Sequence, residues 1–230
     1  MSRAFEVRRE VELPAPAEKV WDAVATGEGT AGWLWPITAE ERGTPAVWDP
    51  PHRLVVRTEG PDGWFNQLEF SIEGRGESAV LRYVHSGIFT EDWDGQYEGV
   101  NKHTDFYLST LGAYLRHFPG QHAAYVSVDA PASTADAAAI GVLRKALGLG
   151  AEPALGDQVR LDLPGLPATG ATVDYSNAYF LGLRTDTALV RVFARGPFGA
   201  PLSVSVHQFG DADPEAVRGA WQAYLDGLYG

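Results

Sequence analysis

The sequence predicts an α+β fold made of two consecutive repeats, each ending in a long helix. Both halves run in the order strand, short helix, several strands and long amphipathic helix. Short patterns also recur at matching places: Val84-His85 and Val206-His207 precede the two long helices, and Ala-Tyr-Leu lies within each helix at residues 113–115 and 223–225. We therefore predict two domains, residues 1–120 and 121–230, with a boundary near residues 119–123.

The first half begins with a predicted strand over Ala4–Leu13, where Val7, Val11 and Leu13 alternate with charged residues. A short helix is predicted over Ala17–Ala25, and the glycines at 27, 29 and 32 are expected to break it. A loop rich in aromatic rings follows at residues 33–36. Three strands and a long helix with one broad apolar stripe complete the half: Arg53–Thr58, Asn66–Glu73, Ala79–Ser86 and Val100–Phe118.

The second half repeats this order. Ser133 is predicted to cap a helix over Ala135–Leu147, because Asp136 follows three residues later, where a capping box has an acid. Asp213 followed by Pro214 is a typical helix start, and the apolar residues that follow predict a terminal helix. Six strands are predicted: Ala124–Asp129, Val159–Leu163, Ala171–Ser176, Tyr179–Arg184, Ala188–Ala194 and Pro201–Gln208.

Composition excludes several classes of function. The formal net charge is −12, which disfavours nucleic acids and anionic membranes as partners because both are bound through cationic side chains. The chain has no cysteine, so disulfides and thiolate catalysis are excluded. No stretch reads as a secretory signal or approaches the roughly 20 apolar residues of a membrane span, and we expect a cytoplasmic protein.

The first half resembles the SRPBCC (START-like, helix-grip) superfamily, and within it the branch named after the activator of the heat-shock-protein-90 ATPase. The resemblance covers about Phe5 to Phe118. It is carried by these segments: Glu18-Lys19-Val20-Trp21-Asp22-Ala23-Val24, Gly32-Trp33-Leu34-Trp35, Pro51-His52-Arg53-Leu54-Val55, Leu81-Arg82-Tyr83-Val84-His85-Ser86-Gly87-Ile88-Phe89 and Leu111-Gly112-Ala113-Tyr114-Leu115. It implies a curved antiparallel sheet that grips a long C-terminal helix, with a cavity between them. The superfamily includes apolar-ligand carriers and cyclases, so fold alone does not fix function.

Two histidines are candidate catalytic groups, because the imidazole pKa lies near neutral pH. His85 is in phase with Tyr83 on its predicted strand, and His103 lies one helical turn before Tyr107. The alternative for His85 is a structural histidine hydrogen-bonded near the strand end, and for His103 a polar residue at the edge of the apolar stripe of the helix. The acids at 91, 92, 94 and 98 precede the long helix, and its dipole explains them without a metal ion. We predict no metal site and no cofactor.

Bulky rings concentrate in the loops and element ends of the first half, where core packing explains them less simply. They are either the rim of an apolar pocket or rings packed onto the sheet or between the two halves. With the rings and the histidine on the predicted strands and helix, the predicted ligand-binding residues are Trp33, Trp35, Trp48, Trp64, Phe70, Tyr83, His85, Trp93, Tyr97 and Tyr107.

Three functions are compatible with the sequence. The absence of a complete catalytic constellation favours a non-catalytic protein that binds a small apolar or aromatic molecule in the first half. The alternatives are a cyclase-like or hydrolase-like enzyme that uses a cavity histidine, and a protein-interaction or chaperone-associated module. The second half has one tryptophan and many alanines, so we expect it to be filled, which suits a monomer that resembles a dimer internally; a homodimer is the alternative.

Overall fold

A computed structural model describes residues 2–230. The chain divides into two compact units, the first ending at Gln121 and the second beginning at His122. Each unit holds one antiparallel sheet and a long helix at its C-terminal end. The predicted α+β class with two sheet-and-helix repeats is therefore confirmed. No helix among residues 2–230 combines the length and apolarity needed to cross a membrane.

The first unit has a five-stranded sheet in the order β1-β5-β4-β3-β2. Every neighbouring pair is antiparallel. The short strand β2 was not predicted from the sequence. The elements are β1 Arg3–Leu13, α1 Ala17–Ala25, α2 Gly27–Ala31, α3 Ala39–Arg42, β2 Val47–Asp49, β3 Arg53–Glu59, β4 Phe65–Arg75, β5 Ser78–Phe89 and α4 Trp93–His117.

The inner face of this sheet is the one that faces α4. Because successive side chains on a strand point to opposite faces, every second residue of each strand lies on it. On β1 the odd positions point inward, and register places Val7 opposite His85 and Val11 opposite Leu81. On β4 the even positions share that face. The outer face carries cross-strand ion pairs instead, such as Arg82 with Glu10 at 2.8 Å. The alternation read from the sequence therefore sorts apolar residues inward and charges outward.

Helix α4 begins at Trp93, seven residues before the predicted start at Val100, so that prediction was wrong. Gly95 and Gly99 weaken the helical signal of the first two turns. Asp92 precedes the first turn of α4 as its N-cap residue. It adopts a left-handed conformation (φ 38°), which aspartate tolerates better than most residues. Two of the acids expected before the helix, at 94 and 98, consequently lie within it.

Helix α1 spans Ala17–Ala25 as predicted, but the glycines after it belong to a separate short helix, α2, that was not predicted. Thr26 caps the short helix α2 by accepting a hydrogen bond from the Gly29 backbone N–H at 2.9 Å. A Cβ atom at Gly29 would lie 2.0 Å from the carbonyl oxygen of Asp22. Glycine at this position therefore allows α1 and α2 to approach each other closely.

The second unit has a six-stranded sheet in the order β6-β11-β10-β9-β8-β7. All neighbouring pairs are antiparallel, with a register shift between β8 and β9 at Val173 and Tyr175. The elements are β6 Ala123–Asp129, α5 Ala139–Ala146, β7 Gln158–Leu161, β8 Thr169–Ser176, β9 Phe180–Arg184, β10 Ala188–Phe193, β11 Ser203–Phe209 and α6 Pro214–Tyr229.

One of the two helix starts predicted for this unit is wrong. Ser133 lies inside a short 3-10 helix, Ala132–Thr134, and α5 begins only at Ala139. Asp136 instead accepts a hydrogen bond from the backbone N–H of Ala138 at 2.7 Å. The start of α6 is as predicted, because the Asp213 side chain accepts from the Glu215 backbone N–H and proline follows it.

Candidate functional site

A row of side chains on the inner face of β4 and β5 forms the centre of the candidate site. Phe70 lies opposite Tyr83, and Leu68 lies opposite His85. The rings of Phe70 and Tyr83 meet edge to face with centroids 5.2 Å apart. Asn66 continues the row toward the start of β4. The period of two on these strands thus brings three predicted residues, Phe70, Tyr83 and His85, together.

Tyr83 connects this row to helix α4. Burial raises the pKa of Tyr83 above its ordinary value, and the nearby Thr104 side chain partly offsets that rise. The Thr104 hydroxyl itself donates to the carbonyl oxygen of Val100 at 2.8 Å. Tyr83 of the sheet and Thr104 of the helix therefore lie close together.

His85 lies next to Tyr83 on the same strand face, with ring centroids 6.5 Å apart, and burial disfavours its charged form. Its Nε2 lies 2.8 Å from Oδ1 of Asn66, and since an amide oxygen only accepts, Nε2 carries the proton. Its ring meets Phe5 edge to face at 5.0 Å. Burial lowers the pKa of His85 to about 4, because the charged imidazolium loses hydration there. At neutral pH the side chain is therefore an uncharged hydrogen-bonding group.

The helix side of the site is built from the N-terminal half of α4. His103 uses Nδ1 to donate to the carbonyl oxygen of Gly99 at 2.7 Å, on its own helix. Its ring lies 6.0 Å from that of Tyr107. Tyr107 also meets Trp35 edge to face at 6.0 Å, and Trp35 remains 45% exposed. The loop ring thus reaches the helix at the margin of the site.

Trp93 and Tyr97, expected in a loop, are stacked one turn apart on α4 with centroids 4.7 Å apart. The Trp93 indole N–H donates to the carbonyl oxygen of Ala4 at 3.1 Å, and the Arg3 guanidinium lies 3.8 Å above the ring. These contacts fix the start of α4 to the start of β1. Their role here is to position the helix.

Three of the predicted binding rings lie apart from the row. Trp33 is buried, and its indole N–H donates to the carbonyl oxygen of Ala23 at 2.9 Å, so it packs the loop onto α1. Trp48 is 52% exposed and meets Trp21 edge to face. Trp64 packs over Gly60 at the β3–β4 connection. None of these three shares a ring contact with Tyr83 or His85 among the described residues.

Burial is graded along the inner face. At one end, Leu13, Leu81 and Leu111 are almost completely buried. At the other end several inward-facing residues are only half-buried, although Phe5 and Val7 of β1 are buried there. This accessible end contains Val56, Asn66, Leu68, Tyr83 and His85 on the sheet and Tyr97, Val100, His103 and Tyr107 on α4. Solvent therefore reaches the sheet beneath the N-terminal half of α4.

Sequence reasoning did not single out Asn66, Leu68, Thr104 or Arg9. Leu68 carried a signal, since it alternates in phase with Phe70, but Asn66 and Thr104 gain meaning only from their tertiary partners. Arg9 lies on the inner side of β1 opposite Tyr83 and binds Asp105 of α4, with Nε 2.5 Å from Oδ1. The signal in the sequence was a charged residue, Arg9, at a position of β1 where the alternation predicts an apolar one.

Neither a protein-family model nor a curated protein sequence matches the chain. Among solved structures, DynU16 from the dynemicin biosynthetic locus is 19% identical, with 97% of each chain covered and a TM-score of 0.39. The di-domain ARO/CYC protein BexL of the BE-7585A biosynthetic pathway is 14% identical, covers 94% of this chain and 93% of its own, and has a TM-score of 0.43.

A single-domain likeness covers about half of the chain. The Aha1 protein of Colwellia psychrerythraea, solved as a dimer, is 18% identical over 48% of this chain and 96% of its own, with a TM-score of 0.40. Aha1-like and ARO/CYC proteins are thus among the similar structures.

Proposed function

We propose that the first unit binds a small apolar or aromatic molecule at the accessible end of its inner face, beneath the N-terminal half of α4. The observation that carries the proposal is the graded burial of that face. Leu68 and Tyr83 on the inner face of the sheet and Tyr107 on α4 remain partly exposed. Covering such surface with an apolar ligand is favourable at about 25 cal/mol per Å².

The state of His85 supports binding rather than proton transfer. A general acid or base works best with a pKa near the working pH. Burial lowers the pKa of His85 to about 4, which makes the ring a weak base at pH 7 and argues against proton transfer by His85. Nδ1 of His103 donates to the carbonyl oxygen of its own helix turn, which orients the ring but does not bear on proton transfer at Nε2.

The proposal is tested by titrating the protein with 1-aminoanthracene, a neutral fluorescent aromatic probe, and by native mass spectrometry of freshly purified protein. Wild type is expected to bind the probe saturably. Leu68→Trp places a larger ring in the accessible end and should weaken binding by about tenfold or more, because added volume must displace the probe.

The matched control is Leu155→Trp, the same substitution at a side chain of the second unit that is 71% exposed. It should leave probe affinity unchanged. Absence of saturable binding to wild type, together with no co-purifying small molecule, would refute the proposal. Equal affinities for the two tryptophan variants would place the probe elsewhere.

A further inference from the structure

The second unit has an edge strand whose outward carbonyl groups are occupied. Strand β6 lies at the end of the sheet and pairs only with β11. The Ala130 backbone N–H donates to Leu202, so even positions face β11 and odd positions face outward. Ser127 and Asp129 are exposed at this outer edge. Unoccupied groups in such positions are a template for pairing with another strand.

Two side chains of α6 bind these carbonyl groups. Nη1 of Arg218 donates to the carbonyl oxygen of Ser127 at 2.8 Å, and Nε2 of Gln222 donates to that of Asp129 at 3.2 Å. The spacing matches, because four helical residues rise about 6 Å and two strand residues about 6.8 Å. One face of the helix can therefore reach successive outward carbonyls of the strand.

Helix α6 packs along β6 but leaves an open groove of about 520 Å³ beside the strand edge. A Cβ atom at Gly219 in the wall of this groove would meet nothing within 4 Å. The groove is lined by Ser127, Val128, Asp129, Glu215, Arg218, Gly219 and Gln222. The two long side chains that cross it are thus the groups that occupy the strand edge.

The first unit shows the same arrangement at its own edge strand. Strand β1 pairs only with β5, and its Ala4 carbonyl oxygen accepts from the Trp93 indole of α4. The Arg8 carbonyl oxygen accepts from Nη1 of Arg9 at 2.8 Å. In both units, then, the C-terminal helix supplies a side-chain donor to the first strand of the sheet. The repetition argues that edge occupation is a property of the fold and not a single chance contact.

We propose that Arg218 and Gln222 keep the β6 edge closed to a second copy of this chain, and that their removal turns this edge into a self-association surface. A second copy fits because two β6 strands can pair antiparallel about a twofold axis, each supplying the groups that the other lacks. With Ser127 near the axis, Asp129 of one copy lies away from Asp129 of the other, so like charges do not oppose the pairing.

The test is the double variant Arg218→Met, Gln222→Met, which keeps unbranched side chains that favour helix but removes both donors. Its mass by light scattering should rise with concentration toward twice that of the wild-type species. Self-association should be on the order of a hundredfold tighter than in wild type, because each capped copy must first give up two hydrogen bonds. Gln222→Met alone, which frees one carbonyl, should associate more weakly than the double variant.

Two further variants separate strand pairing from nonspecific stickiness. Ala216→Met, Ala223→Met adds two methionines at exposed positions of the same helix and keeps both donors, so its mass should stay at the wild-type value. Adding Ser127→Pro to the double variant removes an outward N–H without touching the β11 ladder, and should abolish association. Wild-type mass in a folded double variant, association of the alanine-site control, or association that survives Ser127→Pro would each overturn the proposal.

Discussion

In both units a sheet is followed by a long C-terminal helix, but the inner faces of the two sheets differ in how completely side chains fill them. In the second unit the inner face joins α5 and α6 in one cluster of buried apolar residues that includes Leu143, Leu183 and Trp221. In the first unit the corresponding face is closed at one end and accessible at the other, where Asn66 and His85 replace aliphatic side chains. The difference teaches that a shared arrangement of sheet and C-terminal helix does not by itself fix how completely side chains fill the face between them.

The largest expected effect compares the same truncation in both faces. Leu183→Ala removes a side chain that is 0% exposed and should lower the free energy of unfolding by about 3–4 kcal/mol through lost burial and a cavity. Leu68→Ala, at the accessible end, should cost less than about 1.5 kcal/mol because its environment is already partly solvated. Urea unfolding followed by circular dichroism measures both. Equal losses would mean that the two faces are filled alike.

The next effect concerns His85 and pH. Its folded pKa of about 4 lies below the ordinary 6.5, so the unfolded chain binds a proton first and stability falls as the pH drops from about 6.5 to about 4. Partial exposure reduces the loss to about 1–2 kcal/mol. His85→Leu should remove this part of the pH dependence, seen as the difference between the two unfolding curves across that window. An imidazole that titrates near 6.5 by NMR would contradict the burial of His85.

A smaller effect is expected where Tyr83 of the sheet lies close to Thr104 of α4. Tyr83→Phe keeps the ring against Phe70 but removes the hydroxyl that lies near Thr104, and should cost about 1 kcal/mol in thermal or urea unfolding if that hydroxyl attaches the sheet to the helix. Tyr97→Phe is the matched control, because the ring of Tyr97 stacks on Trp93 and phenylalanine keeps that ring contact. The control should change stability by less than about 0.5 kcal/mol. Similar losses of stability in both variants would show that the Tyr83 hydroxyl does not stabilise the contact between the sheet and α4.

The smallest effect tests how the N-terminal half of α4 is attached. Arg9 and Asp105 form a partly exposed ion pair, with side chains 30% and 49% exposed. Asp105→Asn should therefore cost no more than about 1 kcal/mol at low ionic strength, and less at high salt, where the charges are screened. Unfolding of both proteins at low and high sodium chloride measures this. A loss that does not depend on salt would assign the contact to packing rather than to charge.

Much of the fold was predictable because it depends on local periodicity. Alternation on β1 and β4 and the apolar stripe of α4 are visible in the sequence, and the strands they predict are present in the structure. Errors arose where local signals oppose the tertiary result. Gly95 and Gly99 have low helix propensity, so the first turns of α4 were not predicted. Ser133 and Asp136 have the spacing of a capping box, but no α-helix begins at Ser133.

The candidate site was predictable only in part. Phe70, Tyr83 and His85 share a strand face, so their proximity follows from a period of two and a hairpin. Trp33 resembled a rim residue in the sequence, yet its indole N–H binds a carbonyl of α1 and the ring is buried. A ring in a loop can pack inward or outward, and residues distant in the chain decide which.

The sequence by itself determined the α+β class, the order of the longer strands and helices in both halves and the face of each long strand that turns inward, because these depend on residues a few positions apart. The tertiary structure decided that Asn66 bonds His85, that Tyr83 reaches Thr104, and that the inner face of the first unit is accessible at one end. These outcomes depend on contacts between residues 19 or more positions apart, whose distances are set by strand register and helix placement.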